Sequence, residues 1–167
     1  MMKMLQTSRD LLKDCQAEYL SHGVCSLAEV PPRSVDYCFS NAVLEHIPKG
    51  DFVLLAEELF RVMKPGGVSV HRVDLKDHLG GSLNNLRFTS ANWEGDLLRK
   101  SGFYTNRIRF GEIVALFSRV GFDSQLPRVV RWDALPTPRA KLDEAFRCLP
   151  DDDLLVNGFD ILLRRKR

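Results

Sequence analysis

Between Ser34 and Val73 the chain spells out a strand, a helix and a second strand joined by short connections, and this run constrains the fold more than any other feature. Pro31-Pro32 stops any helix entering from the amino-terminal side, and Ser34 to Ser40, rich in aromatic and β-branched residues, suits a buried strand. Asp51 opens the clearest helix of the chain and is placed to cap its first turn. Phe52, Leu54, Leu55, Leu59, Phe60, Val62 and Met63 give it a broad apolar stripe, while Glu57, Glu58 and Arg61 fall on the outer side. Lys64-Pro65-Gly66-Gly67 ends it with a cation, a helix breaker and two glycines, and Val68 to Val73 follows as the second strand. A helix between two strands with joints this short is a crossover, so the strands run parallel and the fold is α/β.

The rest of the chain is less regular. Leu5 to Ala17 carries apolar residues at helical spacing, and Tyr19-Leu20 before Ser21-His22-Gly23 suggests a brief strand and turn. Asp74 to Thr105 lacks periodicity, and Gly80-Gly81, Ser82 and Asn84-Asn85 mark a long excursion, with a helical piece near Asn92 to Arg99 capped by Ser90 or Asn92. An amphipathic helix is predicted from about Arg107 to Val120, burying Ile108, Ile113, Val114, Leu116, Phe117 and Val120 and closed by Gly121. Ser124 to Trp132 and Leu154 to Leu163 read as strands, and Lys141 to Cys148 between them as helical.

Bulk properties narrow the function classes. The 167 residues are 44% hydrophobic and 28% charged, as in one ordinary globular domain. A net charge of +2 gives no reason to expect a nucleic-acid partner, and the basic Arg164-Arg165-Lys166-Arg167 tail reads as a solvated end. No apolar run approaches the ~18 residues of a membrane span. Cys15, Cys25, Cys38 and Cys148 have neither metal-site nor disulfide-framework spacing, and Cys38 reads as an inert buried thiol. A soluble cytoplasmic protein is the expectation.

In an open α/β sheet, ligands bind beyond the carboxyl ends of the parallel strands. That rule selects two segments here: Ser40, Asn41, Ala42, Glu45 and His46 after the first strand, and Asp74 to Asn85 after the second. His71, Asp74 and His78 do not suggest a metal site, because strand alternation sends His71 and Asp74 to opposite faces. Trp93 and Trp132 read as core residues.

The block from Ser34 to Ile47, then Glu58 to Gly67 with its Arg61-Val62-Met63-Lys64-Pro65-Gly66-Gly67 ending, resembles the later motifs of class I S-adenosylmethionine-dependent methyltransferases of the type 11-like kind. The likeness runs on through Gly121-Phe122 and covers the chain from about Pro32. It implies a Rossmann-like methyltransferase fold, incomplete at the N-terminus, with parallel strands and a C-terminal antiparallel hairpin. It divides one partial domain into an N-terminal helix and connector (1–33), a βαβ unit (34–73), a substrate-side insertion (74–106) and a helix with the hairpin (107–167).

The resemblance also implies S-adenosylmethionine as cofactor, held in part by Ser40, Asn41, Ala42, Glu45 and His46. It implies a small-molecule or glycan-type acceptor met by Asp74, Lys76, Asp77, His78, Asn84 and Asn85, with no single obligatory catalytic residue. The family's glycine-rich cofactor turn and the acidic ribose-binding residue are not in the sequence. A fragment of a longer chain is therefore the expectation, with a non-catalytic scaffold or binding module as the alternative. A chain lacking the strand that would lie beside Val35 to Phe39 exposes a strand edge there, from which self-association is predicted.

Overall fold

The structure, a computed structural model, describes residues 8–166. Four strands form one sheet: β1 (Val35–Asn41), β2 (Met63–Asp74), β3 (Phe122–Arg131) and β4 (Val156–Arg165), in the spatial order β1-β2-β4-β3. β1 and β2 run parallel, with Tyr37 opposite Val68 and Phe39 opposite Val70, and β4 is antiparallel to both β2 and β3. The parallel pair and the closing hairpin are thus as the sequence predicts.

Helix α1 (Ser8–Asp14) is the described part of the expected N-terminal helix; its predicted start at Leu5 lies outside the described residues. The crossover is α2 (Phe52–Val62), and α3 (Phe110–Val120) precedes β3. These two helices cover one face of the sheet. Phe52, Ala56 and Leu59 of α2 and Ile113, Leu116 and Phe117 of α3 bury against Val73, Phe122, Phe159, Ile161 and Leu163. Leu54, assigned above to the apolar stripe, is 42% exposed, and Ala56, fully buried, takes the inward position one turn after Phe52.

Several expectations are corrected. Tyr19-Leu20 forms no strand, and the chain instead enters a 3-10 turn over Gly23–Glu29. Arg61 fastens that turn to α2 by donating to the carbonyls of Leu27 at 2.7 Å and Val30 at 3.0 Å. Asp51 precedes α2 without a side-chain cap bond. Lys64 to Gly67 belongs to β2 as an irregular stretch, since Val35 pairs with Met63 but Tyr37 pairs with Val68. Gly67 is required there: a Cβ would stand 2.9 Å from the Lys64 carbonyl and 3.2 Å from that of Asp36.

The predicted helix near Asn92 is two single turns, Ser90–Trp93 and Asp96–Arg99, the first capped by Thr89, whose hydroxyl accepts from the Asn92 amide. α3 begins at Phe110, three residues after its predicted start, because Arg107 is left-handed (φ 60°). Gly121 ends it in the left-handed conformation foreseen (φ 117°). The Lys141 to Cys148 helix shrinks to Glu144–Arg147, and Asp151–Leu154 is a helical turn, so β4 starts at Val156.

β1 is the main departure. It contains no fully buried residue, with Tyr37 58% and Phe39 72% exposed. A strand reads as buried only when both faces are covered, and α2 and α3 lie on the same side. Among the described residues, β1 is the outermost strand of the sheet. A second apolar cluster of Leu83, Leu86, Leu142, Phe146 and Leu154, with Trp132 partly buried against it, packs the excursion after β2 onto the segment before β4. Trp93 is fully buried beside Tyr104.

Candidate functional site

β1 ends in a backbone reversal at Ala42 (φ 52°), whose amide still donates to the Arg72 carbonyl of β2 at 3.0 Å. The Leu44–His46 turn then sends two side chains inward and one outward. Leu44 enters the main core, Glu45 is 3% exposed, and His46 is exposed. Both Glu45 carboxylate oxygens are buried without a hydrogen-bond partner. Burial raises its pKa to about 7, and the charge of Asp74 adds to the rise.

At the end of β2, Asp74 accepts from the Lys76 amide at 2.9 Å and faces the Lys76 ammonium at 3.5 Å. Asp77, buried, accepts from the Leu79 amide at 2.9 Å and from the Asn84 amide, and its own amide donates to the Ser82 carbonyl at 2.9 Å. These bonds close the Asp77–Asn84 loop on itself. Asn85 is buried beneath it and donates to the Thr105 hydroxyl at 2.9 Å.

On the helix-covered face, the His71 ring spans two hydroxyls, Ser40 Oγ at 2.7 Å and Ser69 Oγ at 2.6 Å, and stacks on Phe117. A neutral imidazole satisfies both bonds, donating through one nitrogen and accepting through the other. Burial lowers its pKa to about 4. Burial also raises the pKa of the neighbouring Cys38 thiol.

Across the carboxyl end of β2, from the turn after β1 to the adjoining ends of β4 and β3, lies a cleft of about 220 Å³, bordered by Ala42, Arg72, Asp74, Lys76, Arg128 and Gly158. Its charges are of both signs, and Arg72 is paired with Asp160 at 2.9 Å. Of the residues singled out from sequence, Ala42, Asp74 and Lys76 meet in this cleft. Asn41 sits exposed beside it, opposite Arg72. Glu45 and Asn85 are buried, while Ser40, Asp77 and Asn84 are engaged in the bonds just described. His46 and His78 face each other away from the cleft lining, ring centres 5.0 Å apart, and His46 Nδ1 donates to the Tyr104 carbonyl at 3.2 Å. Among the described residues, no cluster of His, Cys, Asp and Glu is arranged to hold a metal ion.

Tyr104 and Asn106 stand out in the sequence as candidate acceptor contacts, but every residue from Tyr104 to Arg109 is buried, in a strap that sequence reasoning did not foresee. Asn106 donates to the carbonyls of Leu44 at 2.8 Å and Ile47 at 2.9 Å, and its amide donates to the Glu45 carbonyl at 2.8 Å. Arg109 donates to the carbonyls of Leu75, Asp153, Leu154 and Val156, at 2.7 to 3.2 Å. The strap therefore ties down the turn after β1, the segment after β2 and the start of β4, all adjacent to the cleft. Only its density of hydrogen-bonding side chains, in a stretch without periodicity, could have signalled it.

Comparison with known proteins gives this geometry a fold. Residues 1–71 match the model of a methyltransferase domain. The fold is shared with the YcgJ protein of Bacillus subtilis at a TM-score of 0.56 and 15% identity, over 96% of this chain and 77% of that one. The chain has the Rossmann-like methyltransferase fold. SAM-dependent methyltransferases of Methanosarcina mazei (TM-score 0.53, 18% identity, 90% of this chain and 68% of that one) and Archaeoglobus fulgidus (0.51, 14%, 95% and 73%) share the same methyltransferase fold. Among curated proteins none matches. The chain spans 36% of the length of a phosphoethanolamine N-methyltransferase 2 of Haemonchus contortus, solved with S-adenosyl-L-methionine, at a TM-score of 0.49 and 19% identity. No described helix is long and apolar enough to cross a membrane.

Proposed function

We propose that the chain forms the acceptor-side half of a site that transfers a methyl group from S-adenosylmethionine to a small polar or glycan-type acceptor. The observation that carries this reading is the placement of Ala42, just beyond β1, and Asp74, the last residue of β2, at one cleft at the carboxyl ends of the two parallel strands. Methyltransferases of this class use that end of the sheet, where loop backbone approaches a ligand without bulk from the strands.

The residues fit one wall of the cofactor's site. Asn41 and Ala42 would help to hold the cofactor, and S-adenosylmethionine, when bound, would supply an electrophilic methyl group. The glycine-rich turn and the acidic ribose-binding residue that the family uses for the rest of the cofactor are not in this sequence. The cleft, at about 220 Å³, is also smaller than the ~300–1,000 Å³ of most small-molecule sites. It suits an acceptor or the methionine portion of the cofactor. Asp74, Lys76 and Arg128 offer acceptor and donor groups of both signs, which suits orientation of a hydroxyl or amine. Asp77, Asn84 and Asn85 hold the loop that carries this wall. Orientation supplies most of the rate in such a transfer, so the strap's work in tying down the segments beside the cleft matters more than any one base. A cytoplasmic setting, with reduced thiols, is part of the same reading.

Titration of the purified chain with S-adenosylhomocysteine, followed by calorimetry, tests the proposal. Micromolar binding that weakens at least tenfold in Asn41→Ala and Asp74→Ala is the expected result. Absence of heat at millimolar ligand would sink it for these residues and favour a non-catalytic scaffold built on the same half-fold.

A further inference from the structure

We propose that a second pocket, beside the first turn of α3, binds a small neutral hydroxyaromatic molecule. The inference goes beyond methyl transfer and does not depend on it.

The pocket has a volume of about 410 Å³, against about 220 Å³ for the cleft, and falls within the ~300–1,000 Å³ of most small-molecule sites. No described residue borders both. Lys49 after β1, Ser90 in the excursion and the connection before β4 meet here with Arg109, Gly111 and Glu112 at the start of α3. These are the segments that the strap already ties together, through the carbonyls of Ile47, Phe88 and Asp153.

One wall is apolar and rigid. Phe146, Leu149 and Pro150 form it, and the first two pack in the second apolar cluster. The Arg107 guanidinium stands 5.1 Å from the centre of the Phe146 ring and 5.5 Å from that of Trp93, which holds the Phe146 ring in place. A flat ring laid against Phe146 meets a surface that needs no ordering on binding, and aromatic pairs gain beyond the area they bury.

The polar side selects the head group. Arg109, 3% exposed, donates through both terminal nitrogens to backbone carbonyls, while its Nε is buried without a partner among the described residues. A buried donor of that kind calls for an acceptor, and Arg109 borders the pocket. Asp153 accepts from the Gly111 amide at 2.6 Å through one carboxylate oxygen, and the other can accept from a ligand. A single hydroxyl answers both, since it accepts from Nε and donates to the carboxylate. Ions of either sign are disfavoured, because Glu112 and Asp153 oppose an anion while Lys49 and Arg109 oppose a cation. A neutral aromatic ring bearing a hydroxyl meets all of these conditions.

The probe is 2-naphthol, titrated calorimetrically into the full chain at neutral pH beside the anionic 2-naphthoate and the cationic 2-naphthylmethylammonium, with amide chemical shifts recorded to locate it. Saturable binding of 2-naphthol, about tenfold tighter than either ion or better, is expected, with shifts at Gly111, Glu112 and Leu149 and none at Ala42 or Asp74. Ala145 is exposed on the pocket's border. Ala145→Phe is therefore expected to fill the pocket and abolish binding, while S-adenosylhomocysteine affinity stays as in wild type. The shift map needs no variant and reads the site even where Ala145→Phe unfolds. No saturable binding, equal binding of the three probes, shifts confined to the cleft, or full affinity in a folded Ala145→Phe overturns the proposal. S-adenosylhomocysteine reads the cleft separately, so failure there leaves this pocket standing.

Discussion

Glu45 and His71 lie buried near the same ends of β1 and β2, and their shifted titrations act on stability in opposite directions. Glu45 has a folded pKa of about 7 against an ordinary 4.5, so between those values the native state holds a proton that the unfolded state has lost, and stability falls as pH rises. His71 has a folded pKa of about 4 against 6.5. Between those values the unfolded state holds the extra proton, and stability rises with pH. Each slope is about 1.4 kcal/mol per pH unit, so between roughly pH 4.5 and 6.5 the two cancel. Glu45→Gln removes one slope. It is expected to leave a variant whose stability climbs by about 2–3 kcal/mol across that window, while wild type stays nearly level. Above pH 7 the variant gains up to about 3 kcal/mol on wild type from the lost ionisation penalty. A buried glutamine amide without partners costs ~1–3 kcal/mol at every pH, so the slope and not the offset is diagnostic. Urea unfolding at half-unit steps from pH 4.5 to 8.5 reads it. Parallel curves for the two proteins would refute the argument, as they would mean that Glu45 titrates alike in both states.

Arg109→Met removes the donor from four carbonyls, three of them buried, and is expected to cost about 3 kcal/mol or more, measured by denaturant unfolding, with earlier proteolysis of the 75–106 excursion. Gly121→Ala forces a side chain into a left-handed residue and brings a Cβ to 3.1 Å from the Phe60 ring. It should cost about 2 kcal/mol in thermal unfolding and leave ligand binding unchanged.

How much of this could be read beforehand depends on where the physics was local. The βαβ unit was legible because Phe52, Leu59 and Val62 recur at helical spacing and Pro65-Gly66-Gly67 permits no continuation of the helix. The extent of β2 was not, because Gly67 lets the backbones of β1 and β2 approach across an irregular turn, and that contact is long-range. Ala42, Asp74 and Lys76 were brought together by topology, which strand order alone predicts. Glu45 and Asp77 carry charges usually held in water, and nothing in their neighbours along the chain announces that Asn106 and the Asp77–Asn84 loop bury them. The exposure of Tyr37 and Phe39 was hidden for the converse reason, since aromatic residues on a strand imply a covered face without saying what covers it.

The Tyr104–Arg109 strap explains why the two loops that border the cleft can hold their shape. Loops move when their backbone groups can exchange partners with water at little cost. Here the turn after β1 has three carbonyls, those of Leu44, Glu45 and Ile47, committed to Asn106. The excursion after β2 has the Leu75 and Phe88 carbonyls committed to Arg109 and Arg107. Opening either loop would strand buried donors that have no alternative acceptor, at ~1–3 kcal/mol each, so the loops and the strap loosen together or not at all. The positive φ of Arg107 has the same logic, because the local strain turns its guanidinium toward Phe88 and the Trp93 ring, 5.5 Å away, while Arg109 points to β2 and β4. Two arginines that would be solvated on a regular helix thereby become the ties between the main core and the second apolar cluster, and the spacing of Ala42 and Asp74 is set by them as much as by the sheet.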